Sequence, residues 1–300
     1  MFLRSLFFIA IIIMTLASCQ GPRQEVYEVD FNDNESSPPD TISESVLRVA
    51  IATVISPRES FVYYQEMFEV LSEHLDMPVE FKQRTTYEEV NQMLARNLVD
   101  MAFICSGAYI QGTDYMELMF VPIVYGEPYY RGYIISNTDS DIHRFGDFEG
   151  RSFTYSDPMC FTGSLFVNKR LKELGTNSGE FFGEMIHSMS HDLSIQMVSR
   201  NLIDGAAVNG LIFDYLNHAR PGYVENLRII EKTEPGGIPP VVNSLLMSRE
   251  LRSQIQEFFT NMHHEEHTRQ ILDELMIDRF TIVGDTLYDS LRETIEEIRQ

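Results

Sequence analysis

The chain is short of cations. Lys and Arg number 23 against 45 Asp and Glu, for a formal net charge of −22. Neutralising a nucleic-acid backbone needs clustered Lys and Arg, so nonspecific binding to DNA or RNA is excluded, as is a basic membrane-surface role. A small anion is not excluded, because it senses the few donors around it more than distant charge screened by salt. Three cysteines are too few for a disulfide scaffold or a four-thiolate zinc site. No Gly-x-x-x-x-Gly-Lys, Gly-x-Ser-x-Gly or Cys-x-x-Cys occurs, so nothing points to nucleotide hydrolysis, esterase chemistry or thiol exchange. Hydrophobic residues nevertheless make up 44% of 300, enough to build one large domain or two of ordinary size.

The one long apolar run, about Leu6 to Leu16, is short for a spanning helix and follows Arg4, the pattern of a signal peptide. It ends in Leu16-Ala17-Ser18-Cys19, which resembles a bacterial lipobox. That resemblance implies removal of residues 1–18 and lipidation of Cys19; an uncleaved N-terminal anchor is the alternative. Either way the remainder is expected outside the cytoplasm, tethered to a bacterial membrane. Residues 19–45 read as a disordered linker, with seven acids against Arg23 and Ser36-Ser37-Pro38-Pro39 at the centre.

From Val46 strand and helix patterns alternate. Val46 to Ala52 reads as a buried strand, and Ser56-Pro57-Arg58-Glu59 as a capping box opening a helix through Phe61, Tyr64, Phe68, Leu71 and Leu75. Val79 to Lys82 is a second strand, Thr86 to Glu89 a second capping box, and Val99 to Cys105 a third strand. Further strands are expected near Phe120–Val124 and Gly132–Ile135. The order predicts an α/β fold with a mainly parallel sheet.

Tyr87–Ile104 aligns with His191–Val208 at a constant offset of 104, and seven of the eighteen pairs are identical, among them Asn97/Asn201 and Asp100/Asp204. A helix, a polar turn and a short strand are thus used twice. Two similar α/β lobes with a cleft between them are expected. The lobes are placed at 46–135 and 136–232, with 233–300 returning to the first lobe.

In such lobes ligands lie at the carboxyl ends of strands, against helix N-termini. Cys105-Ser106-Gly107-Ala108 in the first lobe and Ser156-Asp157-Pro158 with Cys160 to Ser164 in the second are candidate junctions. The helix after the second is expected to end at Gly175. Ser and Thr there serve equally as ordinary caps or as oxyanion donors.

Four segments carry a more specific resemblance: Asn97–Ile110 (NLVDMAFICSGAYI), Tyr155–Ser164 (YSDPMCFTGS), Ser190–Leu211 and Gly237–Arg249 (GIPPVVNSLLMSR). From about Leu47 to Asp289 the chain resembles the phosphate-, phosphite- and phosphonate-binding proteins of ABC importers, the PhnD-like group with the type 2 periplasmic-binding-protein fold. The resemblance implies a two-lobed α/β protein, no catalysis and no cofactor or metal. Its implied partners are a small phosphorus oxyanion and an ABC permease with its ATPase. A binding module reporting to a sensor kinase is the alternative. Tyr87 matches the family's first-lobe tyrosine and Ser106 its first-lobe hydroxyl. Thr162 and Gly163 match the oxyanion loop, and His191 a histidine that faces ligand. Cys160 and Phe161 stand where the family often has small hydroxyl residues, so their backbone N–H groups must carry more. Asn209 stands where the family usually has Asp, which favours a ligand without a cationic group or a more fully deprotonated one.

Arg58 and Arg131 are weaker candidates for ligand cations. His263-His264-Glu265-Glu266-His267 contains an inverted zinc pattern but no third ligand, and reads as a solvated helix face. Cys105 and Cys160 are either two separate structural thiols or, if Ser106 and Thr162 face one ligand, residues on opposite walls of one cleft.

Overall fold

The computed structural model describes residues 46–52 and 57–299, and side chains in the first helix only from Tyr64 onward. The leader, Cys19, the acidic linker, the Ser56 cap and the Arg58 side chain lie outside the described residues. No helix among the described residues is long and apolar enough to cross a membrane.

The body begins β1 (Leu47–Ala52), α1 (Pro57–Leu75), β2 (Val79–Arg84), α2 (Tyr87–Ala95), β3 (Met101–Phe103), α3 (Ser106–Gln111) and β4 (Met116–Ile123). After β5 (Tyr129–Tyr130) come β6 (Gly132–Asn137), β7 (Ser152–Tyr155), a π-helical turn at Phe161–Leu165, α4 (Phe166–Glu173), α5 (Ser178–Phe181) and β8 (Glu184–His187). There follow α6 (His191–Ser199), β9 (Gly205–Asn209), α7 (Gly210–Ala219) and β10 (Leu227–Lys232). The chain returns through β11 (Gly236–Gly237), β12 (Val241–Ser244), α8 (Arg249–Asn261), α9 (Glu266–Glu274), β13 (Arg279–Thr281) and α10 (Asp289–Arg299).

Two sheets result, ordered β13-β4-β12-β3-β1-β2 and β10-β6-β9-β7-β8. Both are less parallel than expected. β2-β1-β3 and β8-β7-β9 are parallel, as their helix crossovers require. β12 then runs antiparallel between β3 and β4, and β6 antiparallel between β9 and β10. The antiparallel strands enter from distant chain, which local periodicity does not register. The chain crosses from the first sheet to the second between Ile123 and Gly132, and back between Lys232 and Val241. Residue 135, the expected end of the first lobe, falls inside β6, which lies wholly in the second sheet. A two-stranded antiparallel ribbon, β5 with β11, forms where the two crossing segments meet.

The repeat is physical. α2 and α6 share boundaries at the offset of 104. Asn97 and Asn201 both take φ 55°, the left-handed turn that Asn tolerates. Asp100 accepts from the Arg48 backbone N–H at 2.8 Å, and Asp204 from that of Ser152 at 2.9 Å. Arg48 and Ser152 are themselves 104 apart, and the registers Val49–Met101 and Phe153–Gly205 coincide at the same offset. The shared acid thus ties the polar turn to the start of the neighbouring strand in each lobe. The Thr86–Glu89 capping box forms in full, and Gly175 ends α4 at φ 73° with Thr176 N–H bonded to Leu171 O.

On one face the first sheet packs Leu47, Val49, Ile51, Phe68 and Phe259 into a core. The second sheet has an aromatic core of Phe145, Phe148, Phe153, Tyr155, Phe181 and Phe182. Tyr87, Cys105, Tyr130, Cys160 and Phe161 share one further buried cluster, which draws on both sheets.

Candidate functional site

The second-sheet wall is built by β7 and the loop after it. Asp157 folds back to accept from Met159 N–H at 2.7 Å, turning the chain into the π-helical segment. The first closing bonds of that segment run from Ser164 and Leu165 N–H to Cys160 O. The N–H groups of Phe161, Thr162 and Gly163 precede those bonds, so no carbonyl of their own helix serves them. A Cβ at position 163 would sit 2.8 Å from Ser156 Oγ, so a larger residue there would displace that hydroxyl from His191. Thr162 is buried, with Oγ1 3.5 Å from Cys160 Sγ.

His191 opens α6 and is wholly buried. Its Nδ1 accepts from Asn209 N–H at 3.0 Å, so Nε2 carries the proton of the neutral ring. Nε2 lies 3.3 Å from Ser156 Oγ and 3.5 Å from Cys160 Sγ. Packing from β7, α6 and β9 therefore sets one tautomer and points a donor at the Cys160 loop.

The first-sheet wall comes from α2, α3 and β5. The Tyr87 backbone N–H donates to Asp157 at 3.1 Å, a bond from one wall to the other. Cys105 Sγ lies 3.8 Å from Cys160 Sγ and 4.0 Å from Tyr130 Oη. The reading of two thiols that never meet is corrected: they face each other from the two walls. Burial pushes the phenols of Tyr87 and Tyr130 well above the ordinary range, so both remain donors. Burial also raises Asp157, opposed by the Met159 and Tyr87 N–H groups.

Of the eight expected site residues, Tyr87, Cys160, Phe161, Thr162, Gly163 and His191 come together. Ser106 is buried beside them, but its hydroxyl donates to Gly237 O at 2.6 Å, so its proton holds the β11 ribbon. Asn209 caps α7 by accepting from Leu211 N–H at 2.9 Å. It also borders a cavity of about 160 Å³ lined by Ala52, Phe103, Ile104, Leu211 and Ile212 among others, with no charged side chain among its described lining residues. Arg131 donates to Thr233 O. His263 and His264 lie in a 3₁₀ turn before α9, so the inverted zinc pattern does not share a helix face. Among the described residues no group of three or more His, Cys, Asp or Glu could hold a metal.

Sequence reasoning missed Tyr130, and it placed Ser156 and Asp157 in a candidate junction without naming them as site residues. Asp157 was visible as the acid of a Ser-Asp-Pro turn, but its bond to Tyr87 spans 70 residues. Tyr130 carried no local signal beyond preceding Gly132, whose Cβ would sit 2.8 Å from Thr162 Cβ.

The family model described as ABC transporter, phosphonate, periplasmic substrate-binding protein matches residues 49–288. Among solved structures, a binding protein component of an ABC phosphonate transporter from Pseudomonas aeruginosa superposes with TM-score 0.81 at 19% identity, covering 86% of this chain and 87% of that one. PhnD1 from Prochlorococcus marinus in complex with methylphosphonate gives 0.77 at 16% identity, covering 86% and 99%. A Xanthomonas citri protein bound to ATP gives 0.69 at 15%, covering 85% and 97%. At these identities the structures speak for the two-lobed fold. No curated protein matches in sequence.

Proposed function

Since this chain belongs to the periplasmic substrate-binding proteins of phosphonate ABC transporters, we propose that Tyr87, Thr162, Gly163 and His191 clasp a phosphorus oxyanion between its lobes. The family is one of binding proteins and not of enzymes, and its members serve a transporter. The observation that carries the site is the convergence of two repeat-related helix starts, at Tyr87 and His191, on the Cys160–Gly163 loop. Phosphorus-bound oxygens accept from the N–H groups of Thr162 and Gly163, Thr162 Oγ1, the Tyr87 phenol and His191 Nε2. In this reading β1–β4, β12 and β13 form lobe 1, β6–β10 form lobe 2, and the β5–β11 ribbon links them. Asn209 brings no charge to pair with an amine, and no charged side chain among the described residues lines the cavity it borders, so an alkylphosphonate is preferred over an aminoalkylphosphonate.

Thr162→Val is expected to weaken methylphosphonate binding by about 1.5–3 kcal/mol, the scale of a hydrogen bond to a charged group. The melting temperature of the unliganded protein should barely move. Calorimetry and a thermal scan on the same sample check both. Lost stability with unchanged affinity would reduce Thr162 to a packing residue.

The anchor belongs to the same proposal. Cys19 is read as the lipidated residue holding the body to a bacterial membrane through the acidic linker. Cys19→Ala is expected to abolish incorporation of labelled fatty acid into the protein. Undiminished labelling of the variant would refute the lipid anchor.

A further inference from the structure

Cys105 and Cys160 are the two cysteines of the folded body, 55 residues apart in sequence and contributed by different sheets. Cys105 precedes α3 after β3, and Cys160 precedes the Thr162 loop after β7. Both are free and buried, and their sulfurs are in contact at 3.8 Å. We propose that they form an oxidation site: a disulfide between Cys105 and Cys160 that fastens the two lobes together across the ligand cleft.

The surroundings assign the roles. Cys105 donates its S–H to Cys160, and Cys160 also meets His191 Nε2 and Thr162 Oγ1, each at 3.5 Å. Burial opposes ionisation of Cys160, but these three neighbours outweigh it and favour its thiolate. Burial holds Cys105 well above the ordinary thiol range. Cys160 is therefore the attacking sulfur and Cys105 the resolving one. The oxidant is a small-molecule or protein disulfide. With the lobes apart, His191 Nε2 and Thr162 Oγ1, both on its own wall, still favour the Cys160 thiolate, which attacks one of the oxidant's sulfurs, forming a mixed disulfide and expelling a thiolate. As the lobes close, Cys105 loses its proton to that basic leaving group or to solvent and attacks Cys160 Sγ. A second thiolate departs. Two protein thiols are oxidised and one disulfide is reduced to two thiols. The sulfurs must approach by roughly 1.7 Å from contact to reach bonding distance.

The bond would hold Gly107 against Met159 O and Tyr87 N–H against Asp157, the contacts that join the walls. Its effect on ligand exchange rests on the binding role proposed above, whereas the bond itself does not. The test uses the full-length chain carrying Cys19→Ser, which leaves two thiols. Protein at half-saturation with methylphosphonate, so that its lobes part and close during the exposure, is treated with oxidised glutathione, digested without reduction and mapped by mass spectrometry. The expected product is a peptide pair joined through Cys105 and Cys160. Methylphosphonate release should slow at least tenfold, and dithiothreitol should restore it. Glutathione adducts on separate thiols, or thiols that stay free under oxidant yet react after unfolding, would overturn the site. A linked protein that releases ligand at the unmodified rate would overturn its role in exchange. Failure of the reduced protein to bind methylphosphonate would count against the proposed binding site and leave the mapping result standing.

Discussion

Gly107→Ala is expected to reduce methylphosphonate affinity about a hundredfold, close to 3 kcal/mol. Gly107 is the second residue of α3 on the first-sheet wall, and a Cβ there would stand 2.2 Å from Met159 O on the second. The obstructing atom is backbone, held by the turn in which Asp157 accepts from Met159 N–H, so it cannot swing aside like a side-chain tip. The added methyl must push the walls apart. A ligand gripped by both walls then loses contacts that exist only when they meet. The isolated lobes feel no clash, so the thermal midpoint without ligand should change little. Wild-type affinity in a folded Gly107→Ala protein would mean that binding does not need this approach.

Phe153→Ala is expected to cost about 3–5 kcal/mol of stability, the usual range for a buried phenylalanine. Phe153 is wholly buried on β7. Its ring stacks on Phe182 at 4.5 Å and meets Phe148 edge-on at 5.1 Å. The rings around it come from separate elements tied by backbone bonds, so the hole closes poorly. For a body of this size the melting temperature should fall by roughly 10 °C, measured by calorimetry. Methylphosphonate affinity below the transition should stay within about threefold, because Phe153 lies in the lobe's interior. A loss under about 1 kcal/mol would show that the neighbouring rings collapse into the space.

Much of the fold was legible because its signals are local. The Thr86–Glu89 box, the glycine stop at Gly175 and the apolar spacing from Tyr64 to Leu75 each span a few residues and appear where expected. The duplicated helix–turn–strand unit was visible as identical residues at one offset, and the reason for two of those identities appears only in the structure. Asn97 and Asn201 take a left-handed turn, and Asp100 and Asp204 hold the adjacent strand. The candidate cluster was legible in part. The Cys160–Gly163 loop and the two helix starts named from the sequence come together in the structure, and a loop with Gly and a hydroxyl before a helix is a pattern within one segment. Ser106 and Asn209 matched by position, yet their polar groups are engaged elsewhere, Ser106 Oγ with Gly237 O and Asn209 Oδ1 with Leu211 N–H.

By itself the sequence determined an acidic α/β chain of two related lobes, with a candidate anion-binding loop in each. Composition, capping and periodicity are properties of neighbouring residues, and they survive without knowledge of the rest. Which strands run antiparallel, that Asp157 reaches Tyr87, and that Cys105 touches Cys160 were decided by tertiary structure alone. Each depends on segments 55 or more residues apart being packed against one another. No local propensity encodes such a meeting, because it is set by how the two sheets and their connecting ribbon bury their apolar faces together.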